Sequence, residues 1–440
     1  MKRNVSLAIL VGVSVLIGIL ITIFSSSNFN TLFAFIKRNP SLVFPNDHLK
    51  VHTVVDTLSS PTSMAFIDSN SMLVLERSGN VRLVSDGILR DKPVLTVSVN
   101  TEGERGLLGI ATTFDMQLEN YDKLGMNSEL ASKYSNQKSD FVFLYFTEAQ
   151  DNEPLRNRIY RYEWNGHDLI NPFLILDLPA FPGPYHDGGK LVIGPDNSLY
   201  AVIGDLNSVA GPLQNLRATG NQYNDTSVIL RVPLDNALYS KVFSTDIGSN
   251  NSQYHLAYGI RNSFGLAFDP LTGNLWDTEN GEDKYDEINL VKPGFNSGWY
   301  KITGPISRTN LSENELVRFN GSSYSDPEFS WYMPIGVTDI EFLNSDKLGD
   351  KYENNIFVGD INNGKIYFFE LDENRTGFKI SDGHNSDGGI ADLVADSDDE
   401  ASKVTFGNGF YRITDIETGP DGLLYILSYD GGRVYRVTLQ

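Results

Sequence analysis

Leu191-Val-Ile-Gly-Pro-Asp-Asn-Ser-Leu-Tyr-Ala-Val-Ile-Gly-Asp205 consists of two short apolar runs joined by a turn of Gly, Pro, Asp and Asn. Short runs of β-branched and aromatic residues are typical of strands, and these turn residues indicate a hairpin between them. Closely similar segments begin at Leu266 and Ile416, each with a Pro-containing turn that leads into a second apolar run. The segment is therefore one copy of a repeated unit.

Looser copies extend this repeat over most of the chain. With them, the units begin at Met64, Ile110, Leu191, Leu266, Ile340 and Ile416. After about Val51 there is no long apolar stretch with helical periodicity, so helix is a minor component. Antiparallel sheets repeated in this way close radially into a propeller, which leaves few exposed strand edges. The sequence predicts an all-β fold, a six-bladed β-propeller over residues 51–440, with no internal domain boundary.

A different pattern occupies the N-terminus. Val5–Phe24 carries no charge and, as a helix, is long enough to span a bilayer. Lys2 and Arg3 precede it, so the positive-inside rule places the rest of the chain outside the cell. We expect residues 1–27 to be a single-pass transmembrane helix and residues 28–50 a stalk, with the propeller extracellular. A cleaved signal peptide, which would make the protein secreted, is the alternative.

Charge and cysteine content exclude several classes of function. The 440 residues include 35 Lys and Arg against 56 Asp and Glu, a net charge of −21. Nucleic acid is therefore not expected as a partner, because binding phosphates requires an excess of basic residues on some face. The chain has no cysteine, which excludes a thiolate nucleophile, an iron–sulfur cluster and a covalently attached c-type haem. Redox chemistry would need a bound organic cofactor or a metal on nitrogen and oxygen ligands.

His186 and Asp205 are the first candidate pair for chemistry. His186 lies before one strand of the opening hairpin, among glycines that permit close approach, and Asp205 ends the next strand. Adjacent antiparallel strands bring both residues to the same end of a blade, where a carboxylate can fix the imidazole tautomer and raise its basicity. The alternative is a His–Asp hydrogen bond that only ties down the hairpin.

A second cluster begins at Arg261-Asn262, directly before a predicted core strand. This pair presents a planar cation and an amide at one sheet end, which suits a planar anionic ligand. The acid-rich turn over residues 279–287 suits a hard, oxygen-liganded cation such as Ca²⁺. The alternatives are an interblade salt bridge for Arg261 and a solvated turn. In a third segment, Glu104 and Arg105 either face the channel mouth or pair with each other.

These three segments, in this order, resemble the pyrroloquinoline-quinone (PQQ)-dependent glucose/sorbosone dehydrogenase family, which includes soluble aldose sugar dehydrogenases. The matching stretches are Gly103-Glu-Arg-Gly-Leu-Leu-Gly109, His186-x-Gly-Gly-x-Leu-x-x-Gly-Pro-Asp196, Gly259-x-Arg-Asn-x-x-Gly-Leu-Ala267, Asp286-Glu-Ile-Asn-Leu290 and Asn296-x-Gly-Trp299. Members of this family are six-bladed propellers, in agreement with the repeat count.

The resemblance implies an activity and a role for the matching residues. The protein would oxidise an aldose sugar at C1 to a lactone by hydride transfer to PQQ, and an external electron acceptor would reoxidise the cofactor. His186 would be the general base for the C1 hydroxyl, Asp205 would orient it, and Arg261 would lie beside the reactive quinone carbonyl. The cofactor-binding positions would be Glu104, Arg261, Asn262, Asn280, Asn362 and Arg412. The backbone carbonyls of Gly281 and Glu282 would bind Ca²⁺, which polarises the quinone.

The chain departs from the family pattern at two positions where a basic residue is expected. Asn362 stands where a cofactor-binding lysine is expected, and Phe410 stands where a second arginine is expected. These losses matter because PQQ is a tricarboxylate and this chain is strongly acidic. Lys365 and Arg217 are candidates to compensate. Two other functions therefore stay open, a non-enzymatic surface propeller that binds glycans or protein and a Ca²⁺-dependent lactonase or hydrolase on the same fold.

Overall fold

The computed structural model describes residues 44, 48–114, 140–151, 153–207, 225–234, 251–316, 318, 321–379 and 390–440. Residues 43–440 form one compact unit. Among the described residues, no helix is both long and apolar enough to cross a membrane. The predicted transmembrane helix, most of the stalk and Arg217 lie outside those residues.

The described strands form six sheets, which we number in chain order. Sheet 1 contains Pro61–Phe66, Ser71–Glu76, Asn80–Ser85 and Ile88–Leu89, and Leu95–Thr96 also pairs with its third strand. Sheet 2 contains Leu107–Thr112, Asp140–Glu148, Arg156–Trp164 and Leu169–Pro179. Sheet 3 contains Leu191–Ile193, Ser198–Ile203, Val228–Pro233, His255–Tyr258, Phe295–Asn296 and Ser323–Tyr324.

The remaining sheets follow in the same way. Sheet 4 contains Ser263–Phe268, Leu275–Glu279, Asp286–Val291, Phe329–Trp331 and Val394–Ala395. Sheet 5 contains Val337–Phe342, Ile356–Asp360, Lys365–Phe369 and Thr405–Asn408. Sheet 6 contains Ile413–Thr418, Leu424–Ser428 and Arg433–Leu439, and its outer strand is Leu49–Val55. The described helices are short, namely Asn251–Tyr254, Ile306–Arg308 and Glu313–Glu315 of 3₁₀ type and the α-helix Asp398–Ser402.

The sheets are arranged as a closed ring. The first strand of each sheet contacts the first strand of the next, and the first strand of sheet 6 contacts that of sheet 1. The ring is closed within sheet 6, where Leu49–Val55 pairs antiparallel with Arg433–Leu439 near the end of the chain. This strand begins two residues before the predicted start of the propeller. The all-β, propeller-like fold predicted from the repeats is confirmed.

The repeated Pro-Asp turn has the same physical basis in two sheets. In sheet 3, the Asp196 carboxylate accepts hydrogen bonds from the Ser198 amide and the Tyr200 hydroxyl. In sheet 6, Asp421 accepts from the Leu423 amide and Tyr425 in the same way. The Asp side chain thus closes the turn, and the tyrosine two residues after the amide donor fixes the second strand. The similarity of the sequence copies therefore reflects a shared hydrogen-bond pattern.

Candidate active site

A cavity of about 640 Å³ brings together residues from separate sheets. Of the predicted site residues, it is lined by Glu104, His186, Arg261, Asn262, Asn280, Gly281, Glu282, Asn362 and Arg412. Asp205 is the one predicted site residue that does not line it, because it lies behind His186. The structure therefore places segments more than 300 positions apart around one space.

His186 and Asp205 meet because of the hairpin between them. Leu191 pairs with Ala201 across the two strands, so the ends of both strands lie side by side. The Nδ1 atom of His186 is 2.6 Å from Oδ1 of Asp205, and both side chains are largely buried. Gly204 permits this approach, since a Cβ there would lie 2.6 Å from the His186 carbonyl oxygen. The predicted His–Asp contact is therefore present in the structure.

Two further donors fix the carboxylate of Asp205. The Trp299 Nε1–H donates to Oδ2 at 2.8 Å, and the Asn207 amide donates to Oδ1 at 2.8 Å. An ionised carboxylate only accepts hydrogen bonds, so in the neutral imidazole of His186 the hydrogen lies on Nδ1 and the lone pair on Nε2. The pair is therefore arranged to present a proton acceptor, which the hairpin-tie alternative does not require.

Arg261 lies two residues before the first strand of sheet 4, and its backbone amide is anchored there. Its amide donates to Oε1 of the buried Glu279 at 2.7 Å, and burial raises the pKa of Glu279 to about 7. The guanidinium donates to the Asn280 carbonyl oxygen at 2.9 Å and lies 5.3 Å from the centre of the Trp299 ring. Within the described residues, Arg261 has no carboxylate in salt-bridge contact, and its buried Nε has no partner. The salt-bridge interpretation of Arg261 is therefore not supported there.

Glu104 connects the first and second clusters. Its Oε2 accepts from the His186 amide at 2.7 Å and from Nδ2 of Asn262 at 3.1 Å. The Oδ1 atom of Asn262 is buried and has no partner among the described residues. Arg105, by contrast, is buried and lies 3.9 Å from Glu102 and Asp187. Among the described contacts, Glu104 and Arg105 do not pair with each other, and Glu104 lines the cavity while Arg105 does not.

The turn after the second strand of sheet 4 is organised by Asp286. Its Oδ1 accepts from the Gly281 amide at 3.0 Å, and its Oδ2 accepts from the Gly336 and Val337 amides at 2.6 and 3.1 Å. Burial raises the pKa of Asp286 to about 6 even though these amides act in the opposite direction. The carbonyl oxygens of Gly281 and Glu282 accept no hydrogen bond from the described residues. Unpaired carbonyl oxygens beside a carboxylate are suitable ligands for Ca²⁺.

The two positions that lack the expected cations differ from each other. Asn362 lines the cavity and is exposed. Phe410 is fully buried and packs edge-on against Phe44 and Tyr435, so it belongs to an aromatic cluster away from the cavity wall. Lys365 does not line the cavity either. The suggestion that Lys365 compensates for the missing cations is therefore not supported.

Among the cavity residues that the sequence did not predict are Arg77, Lys190 and Leu108, which lie in or next to strands of sheets 1, 3 and 2, although their neighbours were singled out. Arg77 lines the cavity from the end of the second strand of sheet 1. Lys190 lies in the quoted His186 motif, and its ammonium contacts Asp339 at 2.9 Å and Asp415 at 2.7 Å. These carboxylates raise the pKa of Lys190 well above its usual value, although burial alone would lower it. The third residue, Leu108, supplies apolar surface.

Comparison with known proteins identifies the family. The model of the family described as Glucose / Sorbosone dehydrogenase matches residues 58–121 and 123–436. Aldose sugar dehydrogenase YliI of Escherichia coli is 25% identical over 399 residues, which cover 89% of this chain and 93% of that protein. Quinoprotein glucose dehydrogenase B of Acinetobacter calcoaceticus is 30% identical over 271 residues, covering 57% of this chain and 52% of that protein.

Solved structures support the same fold. The apo-form of the soluble aldose sugar dehydrogenase from Escherichia coli aligns with a TM-score of 0.63 at 20% identity, over 89% of this chain and all of that one. The PQQ-bound form of the aldose sugar dehydrogenase from Streptomyces coelicolor aligns with a TM-score of 0.59 at 22% identity, over 90% and 100% of the two chains. Because the family model spans nearly all of the propeller-like unit, the chain belongs to the glucose/sorbosone dehydrogenase family of oxidoreductases, as its motifs predicted.

Proposed function

We propose that this protein oxidises aldose sugars at C1 to lactones, with PQQ as the hydride acceptor and His186 as the general base. One observation carries the proposal: the His186–Asp205 pair, 2.6 Å apart, borders the cavity that collects the other predicted site residues. Membership of the glucose/sorbosone dehydrogenase family supports the reaction class. The aldose sugar dehydrogenase and the quinoprotein among its relatives support the substrate class and the cofactor.

His186 supplies the base. Its Nε2 lone pair takes the proton of the sugar C1 hydroxyl, while the hydrogen bond from Nδ1 to Asp205 holds the tautomer and stabilises the imidazolium that forms. Trp299 keeps the carboxylate in place from the other side. When bound, PQQ supplies the two-electron oxidant that accepts hydride from C1. The sugar thus loses one hydride and one proton and becomes the lactone.

The polar residues of the cavity fit a flat, anionic cofactor. The buried Nε of Arg261 and Oδ1 of Asn262 have no partners among the described residues, and such atoms are costly unless a ligand satisfies them. Glu104 and Asn280 hold these two side chains in position through Asn262 Nδ2 and the Asn280 carbonyl. We assign Arg261, whose free Nε–H is a donor, to the quinone oxygens of the cofactor, and Asn262, whose free Oδ1 is an acceptor, to a hydrogen-bond donor of the bound ligand.

Ca²⁺ is the proposed metal. The Gly281 and Glu282 carbonyl oxygens would hold it, with the turn geometry fixed by Asp286. A hard divalent cation bound at these oxygens would polarise the quinone as a Lewis acid.

The number of blades and the location of the protein are also proposed. Each of the six sheets would be one blade, as the cyclic contacts of their first strands support. The uncharged stretch Val5–Phe24 and the basic residues before it support a single-pass anchor, or a cleaved signal, that leaves the propeller outside the cell. Electrons would then pass to an external acceptor.

The proposal is tested by reconstituting the purified full-length chain with PQQ and Ca²⁺ and following dye reduction with a panel of aldoses. We expect saturable reduction by at least one aldose, with the lactone as product and loss of the activity in His186→Ala. Sugar turnover that proceeds without PQQ, or binding of sugars with no turnover in the loaded protein, would contradict it.

A further inference from the structure

The cations of the cavity are not equivalent. Arg77, Lys190, Arg261 and Arg412 all line it. Lys190 is already neutralised, because its ammonium lies within 3 Å of two buried carboxylates. The positive charge available to an anionic ligand therefore rests on the three arginines.

Arg77 is held in place entirely by neutral acceptors. Its Nε donates to the Arg105 carbonyl oxygen at 2.9 Å, Nη1 donates to the Tyr429 hydroxyl at 3.2 Å, and Nη2 donates to the carbonyl oxygens of Thr101 and Gly103. No carboxylate among the described residues forms a salt bridge with it. An arginine side chain remains protonated in proteins, so these contacts orient the guanidinium without neutralising it.

The backbone around Arg77 is built to receive its side chain. A Cβ at Gly106 would lie 2.6 Å from Cγ of Arg77, so only glycine fits beside the arginine stem. The Leu107 amide also donates to the Arg77 carbonyl oxygen at 3.1 Å. Gly106 belongs to the family-matching segment Gly103–Gly109. The packing of Arg77 therefore explains why one glycine of that segment is required.

Tyr429 joins Arg77 to Arg412. Its hydroxyl accepts from Arg77, its amide donates to the Arg412 carbonyl oxygen at 2.7 Å, and its ring centre lies 5.8 Å from the Arg412 guanidinium carbon. The carboxylate paired with Arg412, that of Asp430, is 3.9 Å away and half-exposed, which makes it a weak counter-ion. The tyrosine therefore links two arginines whose charges are little compensated.

From this arrangement we propose that Arg77 binds a carboxylate group of PQQ beside Arg412, a cofactor-binding position that the resemblance already implies, and that Arg77 compensates for the cations missing at Asn362 and Phe410. The assignment rests on the proposed function. Four of the five N–H groups of Arg77 donate to the acceptors named above, so one Nη1 N–H of fixed direction and an uncompensated positive charge remain for a carboxylate. A chain of net charge −21 can in this way keep a local site for a tricarboxylate.

The test compares equilibrium binding of PQQ and of its uncharged trimethyl ester to the full-length chain, by absorbance titration without sugar. The variants are Arg77→Gln, Arg77→Lys and, as a matched loss of one arginine outside the cavity, Arg231→Gln. We expect Arg77→Gln to weaken PQQ binding about tenfold or more while ester binding stays unchanged. Arg231→Gln should bind both as the wild type does. The salt dependence of PQQ binding should also be shallower in Arg77→Gln.

The outcomes separate this inference from the proposed function. No PQQ binding to the wild type would overturn the proposed function itself. Normal PQQ binding by Arg77→Gln, or equal losses for PQQ and ester, would overturn the role of Arg77 and leave the function standing. If thermal unfolding shows that Arg77→Gln is not folded, Arg77→Lys decides. A lysine keeps the charge, but its three N–H donors are fewer than the four acceptors that hold Arg77, so none is left for PQQ. Weakened PQQ binding with normal ester binding then supports the inference, and PQQ binding equal to the wild type contradicts it.

Discussion

Asp205→Asn tests whether the buried carboxylate orients the base. The substitution keeps the size of the side chain but replaces one acceptor oxygen by an NH₂ group. In the wild type both oxygens accept, from His186 and Asn207 on one side and Trp299 on the other. If the NH₂ group points to Trp299, two donors face each other. If it points to His186, Nδ1 must become the acceptor, and Nε2 then carries a hydrogen and cannot take the sugar proton.

The magnitude follows from the bond that is lost. A hydrogen bond to a charged group contributes about 1.5–3 kcal/mol. At about 1.4 kcal/mol for each factor of ten, kcat/KM should fall by roughly ten- to a hundredfold. Because Asp205 does not line the cavity, the dissociation constant for PQQ should stay the same.

The assay is steady-state dye reduction by the Ca²⁺- and PQQ-loaded protein, with a PQQ titration alongside. Asp269→Asn is the matched control, since Asp269 is also buried and accepts from Leu271, Thr272 and Arg375 but does not line the cavity. It should lower stability and leave kcat/KM unchanged. If Asp205→Asn keeps kcat/KM within about twofold of the wild type, or loses PQQ binding in proportion, the orienting role is refuted.

Three further predictions concern packing, pH and metal. Gly109→Ala should lower the free energy of unfolding by about 1–3 kcal/mol in a denaturant titration, because its Cβ would lie 1.8 Å from the Gly189 carbonyl oxygen. Gly377→Ala should cost much less, because its Cβ would lie 3.3 Å from a side-chain oxygen of Asp372, which can shift. Burial raises the pKa of Glu341 to about 7. The protonated carboxyl is therefore favoured in the folded protein, and the stability that it contributes is present at low pH and is lost as the pH rises through about 7. The melting temperature of Glu341→Gln relative to the wild type should therefore be higher at pH 8 than at pH 5, and an equal difference at both pH values counts against this. Chelation of Ca²⁺ should abolish sugar-dependent dye reduction. Adding Ca²⁺ should restore the activity, and adding Mg²⁺ should restore less of it, because Mg²⁺ prefers to keep its water ligands. Full activity in excess chelator argues against the metal site.

Local patterns in the sequence predicted much of the fold. The Pro-Asp turns mark sheets 3 and 6 because one side chain, Asp196 or Asp421, makes the same short-range contacts in each. The hairpin likewise placed His186 next to Asp205, since both lie at the ends of paired strands. Short-range geometry of this kind is readable from spacing.

The parts that could not be predicted depend on contacts between distant sheets. Arg77 and Tyr429 are 352 positions apart, and no local pattern indicates that they meet. The burial of Phe410 depends on Phe44, which precedes the first strand, and the pairing of Leu49–Val55 with the last strand depends on ring closure. The sequence match at Phe410 therefore did not show whether its side chain faces the cavity.

The most direct test of the central claim is a single turnover without oxygen. Stoichiometric aldose is mixed with the PQQ- and Ca²⁺-loaded chain, and the absorbance of bound PQQ and the lactone formed are followed together. We predict one lactone for each PQQ reduced in the wild type, and bound PQQ that stays oxidised on the same timescale in His186→Ala. Reduction at the wild-type rate in His186→Ala, or no reduction by any aldose in the wild type, would contradict the account.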